Sequence, residues 1–443
     1  MDALVGIDLG TSATKGVLLA ADGRVLARER RATELLRPAP DRVEFSAERS
    51  YELLCEVVRA LVGSTPAGVQ VRAIALSGAT GNALLLDGRG EPLGNAISWL
   101  DGRSLGDPQA DPPGLAPEAI RRTVGWPYSR RFPLAQLAWM KQNRPELFVR
   151  AAVAAMNITY LCRRLSGECG MDHSTATTFY LQDQVERRWH RPLLEWLGLD
   201  EARLPRLLPS GAVLGRVAAR AAEETGLPAG AAVVMGAFDH PSAARGCGVL
   251  RPGQMLLSCG TSWVGFYPVA DRESALSQRL LVDPFLAPAG PWGAMFSLPR
   301  VGERVQAFVD ATFANEPTQA ARYARLNEAA ARSPRGSADP CRALMEDLAG
   351  HTKGRMDSLA ATGFRAGSIA MVGGPAESPA WAQILADVTG VELTLPEAGA
   401  HAGAVGAAIL AGIGSGIFAD EADGAGRVGL RGRTVRPEGR TDG

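Results

Sequence analysis

Asp8-Leu9-Gly10-Thr11-Ser12 and Ser258-Cys259-Gly260-Thr261-Ser262 are the two stretches on which the fold turns. Each is reached by an apolar run (residues 3–8, also β-branched, and 254–258) and left by a second strand-like run (14–20 and 263–268). A strand, a Gly-Thr-Ser turn and a second strand thus stand once near the start of each half, which reads as an internal duplication. Such a turn offers backbone N–H groups and two hydroxyls in a tight concavity, and its glycine lets a phosphate approach closely. Asp8 before the first turn makes a magnesium-bound phosphate plausible, because a hard cation takes carboxylate, water and phosphate oxygens. Lys15, at the start of the next strand, can neutralise a phosphate. One Gly-Thr-Ser hairpin alone is a weak signal. Two copies would face each other across a cleft and clamp one polyphosphate.

Working outward, Asp22-Gly23 marks a hairpin and residues 24–30 a third strand. Residues 50–62 carry helical periodicity, with Leu53, Leu54, Val57, Val58 and Leu61 on one face. Residues 71–77 read as a buried strand ending at Ser77-Gly78. This β-β-β-α-β order predicts a mixed sheet flanked by helices. Helices are expected over 133–142 and 145–165, and a buried strand over 231–237. In the second half a strand at 368–372 runs into Gly373-Gly374, helices follow at 379–389 and 401–412, and 424–443 reads as a solvated tail.

The chain has 443 residues, enough for two or three domains and a large core without staples. Lys+Arg and Asp+Glu both total 47, so no basic excess is available for nucleic acid. Only three lysines occur (Lys15, Lys141 and Lys353), and arginine carries the remaining positive charge. The six cysteines form no C-x-x-C pair and no zinc spacing, and read as buried thiols of a reducing compartment. No apolar stretch reaches the roughly 18 residues of a membrane span, and no leader is visible, so a cytoplasmic location is expected.

Three further motifs carry chemistry. Asp239 ends an apolar strand in Gly236-Ala237-Phe238-Asp239-His240-Pro241. A carboxylate there can accept a proton from a substrate hydroxyl, or can cap the helix that follows. Trp99, Asp101 and Arg103 form W-x-D-x-R, which suits a polyhydroxylated ligand or equally a surface turn with a local ion pair. Gly373-Gly374-Pro375-Ala376-Glu377-Ser378 joins a strand to a helix, with Ser378 as N-cap and Pro379 first in the helix. Such a junction can hold a nucleotide at the helix N-terminus or be an ordinary turn. No G-x-S-x-G elbow supports hydrolase chemistry.

With these residues in place, the chain resembles the FGGY family of carbohydrate kinases, from about residue 4 to 418. The specific matches are Gly6-Ile7-Asp8-Leu9-Gly10-Thr11-Ser12, Ser98-Trp99-Leu100-Asp101-Gly102-Arg103, Gly236–Asp239 with Cys259-Gly260-Thr261-Ser262, and Gly373-Gly374 with Ser378-Pro379 and Trp381. Val43-Glu44, Leu137-x-Trp139 and Asp172-x-Ser174-x-Ala176 match more weakly. The resemblance implies an α/β chain of two ribonuclease-H-like domains, the actin-like ATPase fold, with ATP in an interdomain cleft. It implies an N-terminal domain over 1–246, a shortened C-terminal domain over 247–423 and a flexible tail over 424–443. Asp239 would be the base that deprotonates the sugar hydroxyl, and Asp8 and Asp239 would stand at magnesium. Gly10, Thr11, Ser12, Lys15, Gly260, Thr261 and Ser262 would hold the ATP phosphates. Gly302 and Gln306 would border the nucleotide, and Gly373, Gly374, Pro375, Glu377 and Ser378 would lie against the adenosine. Thr80, Gly81, Asn82, Trp99, Asp101, Arg103 and His240 would bind the acceptor.

Three departures stand out. Xylulose kinases read G-Q-M-H-G after the Ser77 strand, and glycerol kinases N-Q-R-E; here the segment is Gly78-Ala79-Thr80-Gly81-Asn82. His240 replaces the Asn or Gln that often follows the base. A segment bearing P-Y-x-x-G-E-R-x-P is missing between the Asp310 region and Arg342-Ala343-Leu344-Met345-Glu346. The expected function is an ATP- and magnesium-dependent kinase of a small sugar or polyol, such as the ketose xylulose. The alternative is a silent homologue that senses sugar or nucleotide. The expected partners are that small molecule and a homodimer mate, with no nucleic acid and no membrane.

Overall fold

The structure is a computed structural model, and it describes residues 1–429 and 432–438. The chain divides into two compact units: Met1–Gly246 with Gly403–Gly429, and Cys247–Ala402 with the C-terminal segment.

In the first unit β1 (Asp2–Leu9), β2 (Ala13–Ala20) and β3 (Val25–Ala32) form an antiparallel meander. The helix α1 (Ala47–Gly63) then leads to β4 (Gln70–Gly78), which pairs parallel with β1. After β5 (Val213–Arg216), β6 (Ala232–Phe238) pairs parallel with β4, giving the order β5-β6-β4-β1-β2-β3. Central strands covered on both sides read as unbroken apolar runs, as Leu4, Val5 and Ile7 or Ala73–Leu76 do. Glycines let the helices approach. A Cβ on Gly16 would come within 2.8 Å of Val57 on α1.

The second unit repeats the plan. β7 (Gln254–Cys259), β8 (Trp263–Val269) and β10 (Trp292–Leu298) form the meander, with β9 (Leu281–Asp283) on its outer edge. β11 (Ser368–Gly373) pairs parallel with β7, and β12 (Leu393–Pro396) parallel with β11. The corresponding strands of both sheets therefore run in the order 3-2-1-4-5, which fits the duplication read from the two Gly-Thr-Ser turns. The core of this unit lies between the sheet and its helices, around Trp263, Tyr267, Met345, Leu348, Trp381 and Leu385.

Three expectations change. Residues 145–165 do not form one helix. They split into Pro145–Arg150, a short strand Val153–Ala155 and the helix Asn157–Ser166, because that strand pairs with Leu84–Leu86. Sequence alone groups 247–423 together, whereas Gly403–Gly429 packs with the first unit. The cause is the long helix Ala402–Gly414, which lies on β1: a Cβ on Gly6 would meet Ala404 O at 2.0 Å. The tail is partly regular. Glu421–Val428 is a helix, and β13 (Gly432–Val435) adds an antiparallel edge strand to β12. The remainder of the tail reading, at 430–431 and 439–443, lies outside the described residues.

Candidate active site

Asp8 and Asp239 both stand at carboxyl ends of strands in the first sheet, where open α/β sheets commonly bind ligands. Asp8 is the penultimate residue of β1 and lies in register with Ser77 of β4 and Lys15 of β2. Its Oδ1 is buried with no hydrogen-bond partner. The start of the helix Ala402–Gly414 closes over it, and a Cβ on Gly403 would sit 2.8 Å from Asp8 Cγ and Oδ2. Burial pushes the Asp8 carboxyl up to about 7, the charge of Asp239 adds to this, and Lys15 partly offsets it. With one oxygen shut off from solvent and hydrogen bonds, this carboxylate favours a proton or a cation beside it.

Asp239 is placed by a bulge. The register between β6 and β4 shifts between Met235 and Phe238, where Gly236 comes so close to β4 that a Cβ would meet Leu76 O at 1.7 Å. A bulge re-aims the residues after it. Phe238 is further fixed by its N–H, which donates to Ser174 Oγ (3.2 Å). Asp239 then opens the helix Asp239–Gly246. Its Oδ1 accepts the His240 N–H at 2.6 Å, and His240 Nε2 lies 3.8 Å from the same oxygen. The carboxylate stays available beside this contact, since the side chain keeps 29% of its surface exposed. Burial raises its pKa as well, opposed by the His240 charge and the His240 N–H.

The structure treats the expected acceptor residues unequally. Thr80, Gly81 and Asn82 are all buried. Thr80 Oγ1 is bonded to Thr178 Oγ1 (2.6 Å), and Asn82 Oδ1 accepts the Asn157 N–H (2.8 Å). Asp101 is buried, with Oδ1 accepting from Arg103 N and Nε and Oδ2 from Val43 N and Arg103 Nη2. Arg103 also donates to Glu44 Oε1 (2.6 Å), and its guanidinium lies 5.1 Å from the Trp139 ring centroid. These ions brace the loop from within. Trp99 and His240 remain partly exposed, and Trp99 Nε1 donates to Thr11 Oγ1 (3.2 Å). The weak motif positions Glu44, Trp139 and Ser174 thus turn out to be the supports of the stronger ones.

In the second unit the expected nucleotide residues other than Ser262 and Gly373 line one cavity of about 760 Å³. Gly260, Thr261, Gly302, Gln306, Gly374, Pro375, Glu377 and Ser378 all reach it. α2 (Val301–Thr312) starts against the turn: Gly302 N–H donates to Thr261 O (2.9 Å), and a Cβ there would lie 2.9 Å from Gly260 O. Gly373 takes φ +98° and passes so close to Cys259 O that a Cβ would sit 2.2 Å away, which only glycine permits. Ser378 caps α3 (Pro379–Thr389) by accepting the Trp381 N–H. Ser262, half-buried, completes the turn. Gln306 is tied internally, donating to Asp310 Oδ2 (2.8 Å) and accepting from Tyr323 OH (3.0 Å). Sequence reading misses one wall of this cavity, Ala320, Tyr323, Ala324 and Asn327 on the helix Gln319–Arg332. Their i, i+3, i+4, i+7 spacing was the available signal.

Comparison with known proteins identifies this arrangement. The model of the FGGY family of carbohydrate kinases matches residues 3–246 with its N-terminal domain and 330–415 with its C-terminal domain. The chain belongs to the FGGY family of carbohydrate kinases. It is 29% identical to the autoinducer-2 kinase of Yersinia enterocolitica, over 94% of this chain and 87% of that one. The xylulose kinase of Rhodospirillum rubrum superposes with a TM-score of 0.84 at 26% identity, covering 98% and 94% of the two chains. Plasmodium falciparum glycerol kinase with ADP shares the fold, with a TM-score of 0.85 at 17% identity over 99% and 94%. This FGGY kinase therefore has the two-domain actin-like ATPase fold and is a carbohydrate kinase. Among the described residues no helix is long and apolar enough to cross a membrane.

Proposed function

We propose that the chain transfers the γ-phosphoryl group of ATP to a hydroxyl of a small ketose- or polyol-like acceptor. The observation that carries this is the combination of Asp239, re-aimed by the bulge and still accessible, with Asp8, whose Oδ1 is buried and unpartnered. In this reading Asp239 accepts the proton of the attacking hydroxyl, and its bond to the His240 N–H holds the carboxylate in place. Gly10, Thr11, Ser12 and Lys15 bind phosphate in the first unit. Gly260, Thr261, Ser262, Gly302 and the 373–378 loop bind the nucleotide in the second. Magnesium would neutralise charge on the transferring phosphoryl group. Asp8 fits it: an orphaned buried oxygen is what a hard cation would satisfy. Among the described residues no cluster of three or more metal-ligating side chains exists, so phosphate and water oxygens would complete the coordination.

The relatives named autoinducer-2 kinase and xylulose kinase frame the acceptor panel. Autoinducer-2, D-xylulose, D-gluconate and glycerol are offered with ATP and magnesium, and ADP release is followed. Acceptor-dependent release that Asp239→Asn abolishes supports the reading. Nucleotide binding with no acceptor-dependent release would refute it.

A further inference from the structure

The cavity of the second unit holds one unsatisfied polar group. Gln306 is used at both ends, by Asp310 and Tyr323, and Glu303 Oε2 accepts from Arg300 Nε (2.7 Å). Ser378 Oγ accepts the Trp381 N–H. Thr261 and Glu377 are exposed, so water can meet them. Asn327 differs. It is half-buried on the lining, and its Oδ1 is buried with no hydrogen-bond partner. Among the described residues of this lining it is the only buried side-chain nitrogen or oxygen left so. A buried acceptor without a donor is costly, so a ligand group that donates to it gains what water does not supply. The χ2 torsion of asparagine is soft, and a small rotation turns Oδ1 to such a group.

The position of Asn327 along the cavity selects the donor. Arg322 reaches Asp310 (2.6 Å) and Tyr323 reaches Gln306 (3.0 Å), so numbers rise along the helix Gln319–Arg332 as they fall along α2. Asn327 is one turn past Tyr323 on the same face, about 6 Å further along its helix. That direction leads to the first turn of α2, where the Gly302 N–H donates to Thr261 O. Asn327 therefore stands toward the Gly260-Thr261 end of the cavity, and Tyr323 and Ala320 stand further out. In the kinase reading that end takes the phosphates, and next to the phosphates of a nucleotide comes its ribose. Ionised phosphate oxygens donate nothing, whereas the ribose 2′- and 3′-hydroxyls both donate.

We propose that Asn327 Oδ1 accepts a hydrogen bond from a ribose hydroxyl of the bound nucleotide and so selects ribonucleotides over deoxyribonucleotides. This rests on the kinase reading, which puts the nucleotide in this cavity, and adds the residue that reads its sugar. A deoxy analogue leaves Oδ1 unpaired, and the cost of such a group predicts binding weaker by about 5- to 150-fold.

The test is calorimetric titration of the full chain with ADP, 2′-deoxy-ADP and 3′-deoxy-ADP in magnesium, and with IDP as a change of base alone. ADP should bind about 5- to 150-fold tighter than at least one deoxy form. Asn327→Ala should weaken ADP to the level of that deoxy form and leave the deoxy Kd unmoved, whereas a merely structural role would shift every nucleotide alike. Without nucleotide this variant should melt no earlier than wild type, because it removes an orphaned oxygen and installs the best helix former. Asn327→Asp keeps an acceptor. Its charge should weaken all four nucleotides while the ribose preference survives, and it carries the test should the alanine variant fail to fold. Equal binding of ADP and both deoxy forms, a preference that survives Asn327→Ala, or one that Asn327→Asp abolishes overturns the proposal and leaves the kinase reading intact. An Asn327→Ala change that narrows the ADP-to-IDP ratio and spares the ribose ratio also overturns it, by placing the base there. No binding of any nucleotide overturns the proposal and the kinase reading together.

Discussion

Asp8→Asn should make the protein more stable at pH 8 and leave it little changed at pH 4. The Asp8 carboxyl has an ordinary value of 3.8 and is pushed to about 7 in the fold. The sign follows from linkage. Between those values the unfolded chain ionises this group while the folded chain holds its proton, so folding stability falls as pH rises through the window and stays reduced above it. A gap of roughly three pH units at about 1.36 kcal/mol each sets a ceiling near 4 kcal/mol. Asp8 is half-buried as a residue, so solvent screening brings the expected value to about 1–2 kcal/mol. Asparagine keeps the shape and removes the charge, and it also relieves Asp239 of a like-charged neighbour. The measurement is thermal melting of wild type and Asp8→Asn without magnesium or nucleotide, from pH 4 to pH 8. A gain of about 2–8 °C at pH 8 that vanishes toward pH 4 is expected, using 2–4 °C per kcal/mol for a domain of this size. Equal melting at pH 8, or a difference independent of pH, refutes the burial argument.

Asp239→Asn should lower kcat by about 10²- to 10⁴-fold, the usual contribution of a general base, with ADP affinity in calorimetry unchanged. Gly302→Ala forces a Cβ to within 2.9 Å of Gly260 O and Thr261 Cα, and the cost of such crowding, about 1–3 kcal/mol, should appear as an ADP Kd raised some 5- to 150-fold. Ser378→Ala removes the cap of α3 and should cost about 1 kcal/mol, read as an earlier melting transition with Asp239-dependent chemistry intact once nucleotide saturates.

Local features were legible in the sequence, and long-range choices were not. The strand–turn–strand units, the Ser378 cap and the helix Pro379–Thr389 are set by neighbours within a few residues, so pattern and cap residues suffice. Residues 145–165 fail because Ala151-Ala152-Val153-Ala154-Ala155 fits either period, and pairing with Leu84–Leu86 decides for a strand. W-x-D-x-R shows the same limit in chemistry. The motif contains an acid and a base, and only the fold reveals that Glu44 and Val43 complete a closed network with them. Gly403 carries no motif at all, and its role emerges from one approach to Asp8 across almost the whole chain.

Net neutrality also acquires a physical meaning. Among the described residues the 760 Å³ cavity of the second unit has no lysine or arginine on its lining, yet Glu303 and Glu377 reach it. A nucleotide bound there, as proposed, would meet no side-chain cation among the described lining residues. The groups left to meet its charge are backbone amides of the Gly260-Thr261 turn and the N-terminal turn of α2, whose cap residue Arg300 supplies no side-chain bond. Helix N-terminal amides of this kind suit anions through their aligned dipoles. Two carboxylates on the wall then favour a nucleotide that arrives with its charge already reduced by a divalent cation. The same logic runs through the first unit, where Asp8 Oδ1 is buried without a partner of its own. A lysine-poor, neutral chain can thus handle a polyanion, provided that the cation comes with the substrate and not from the protein surface.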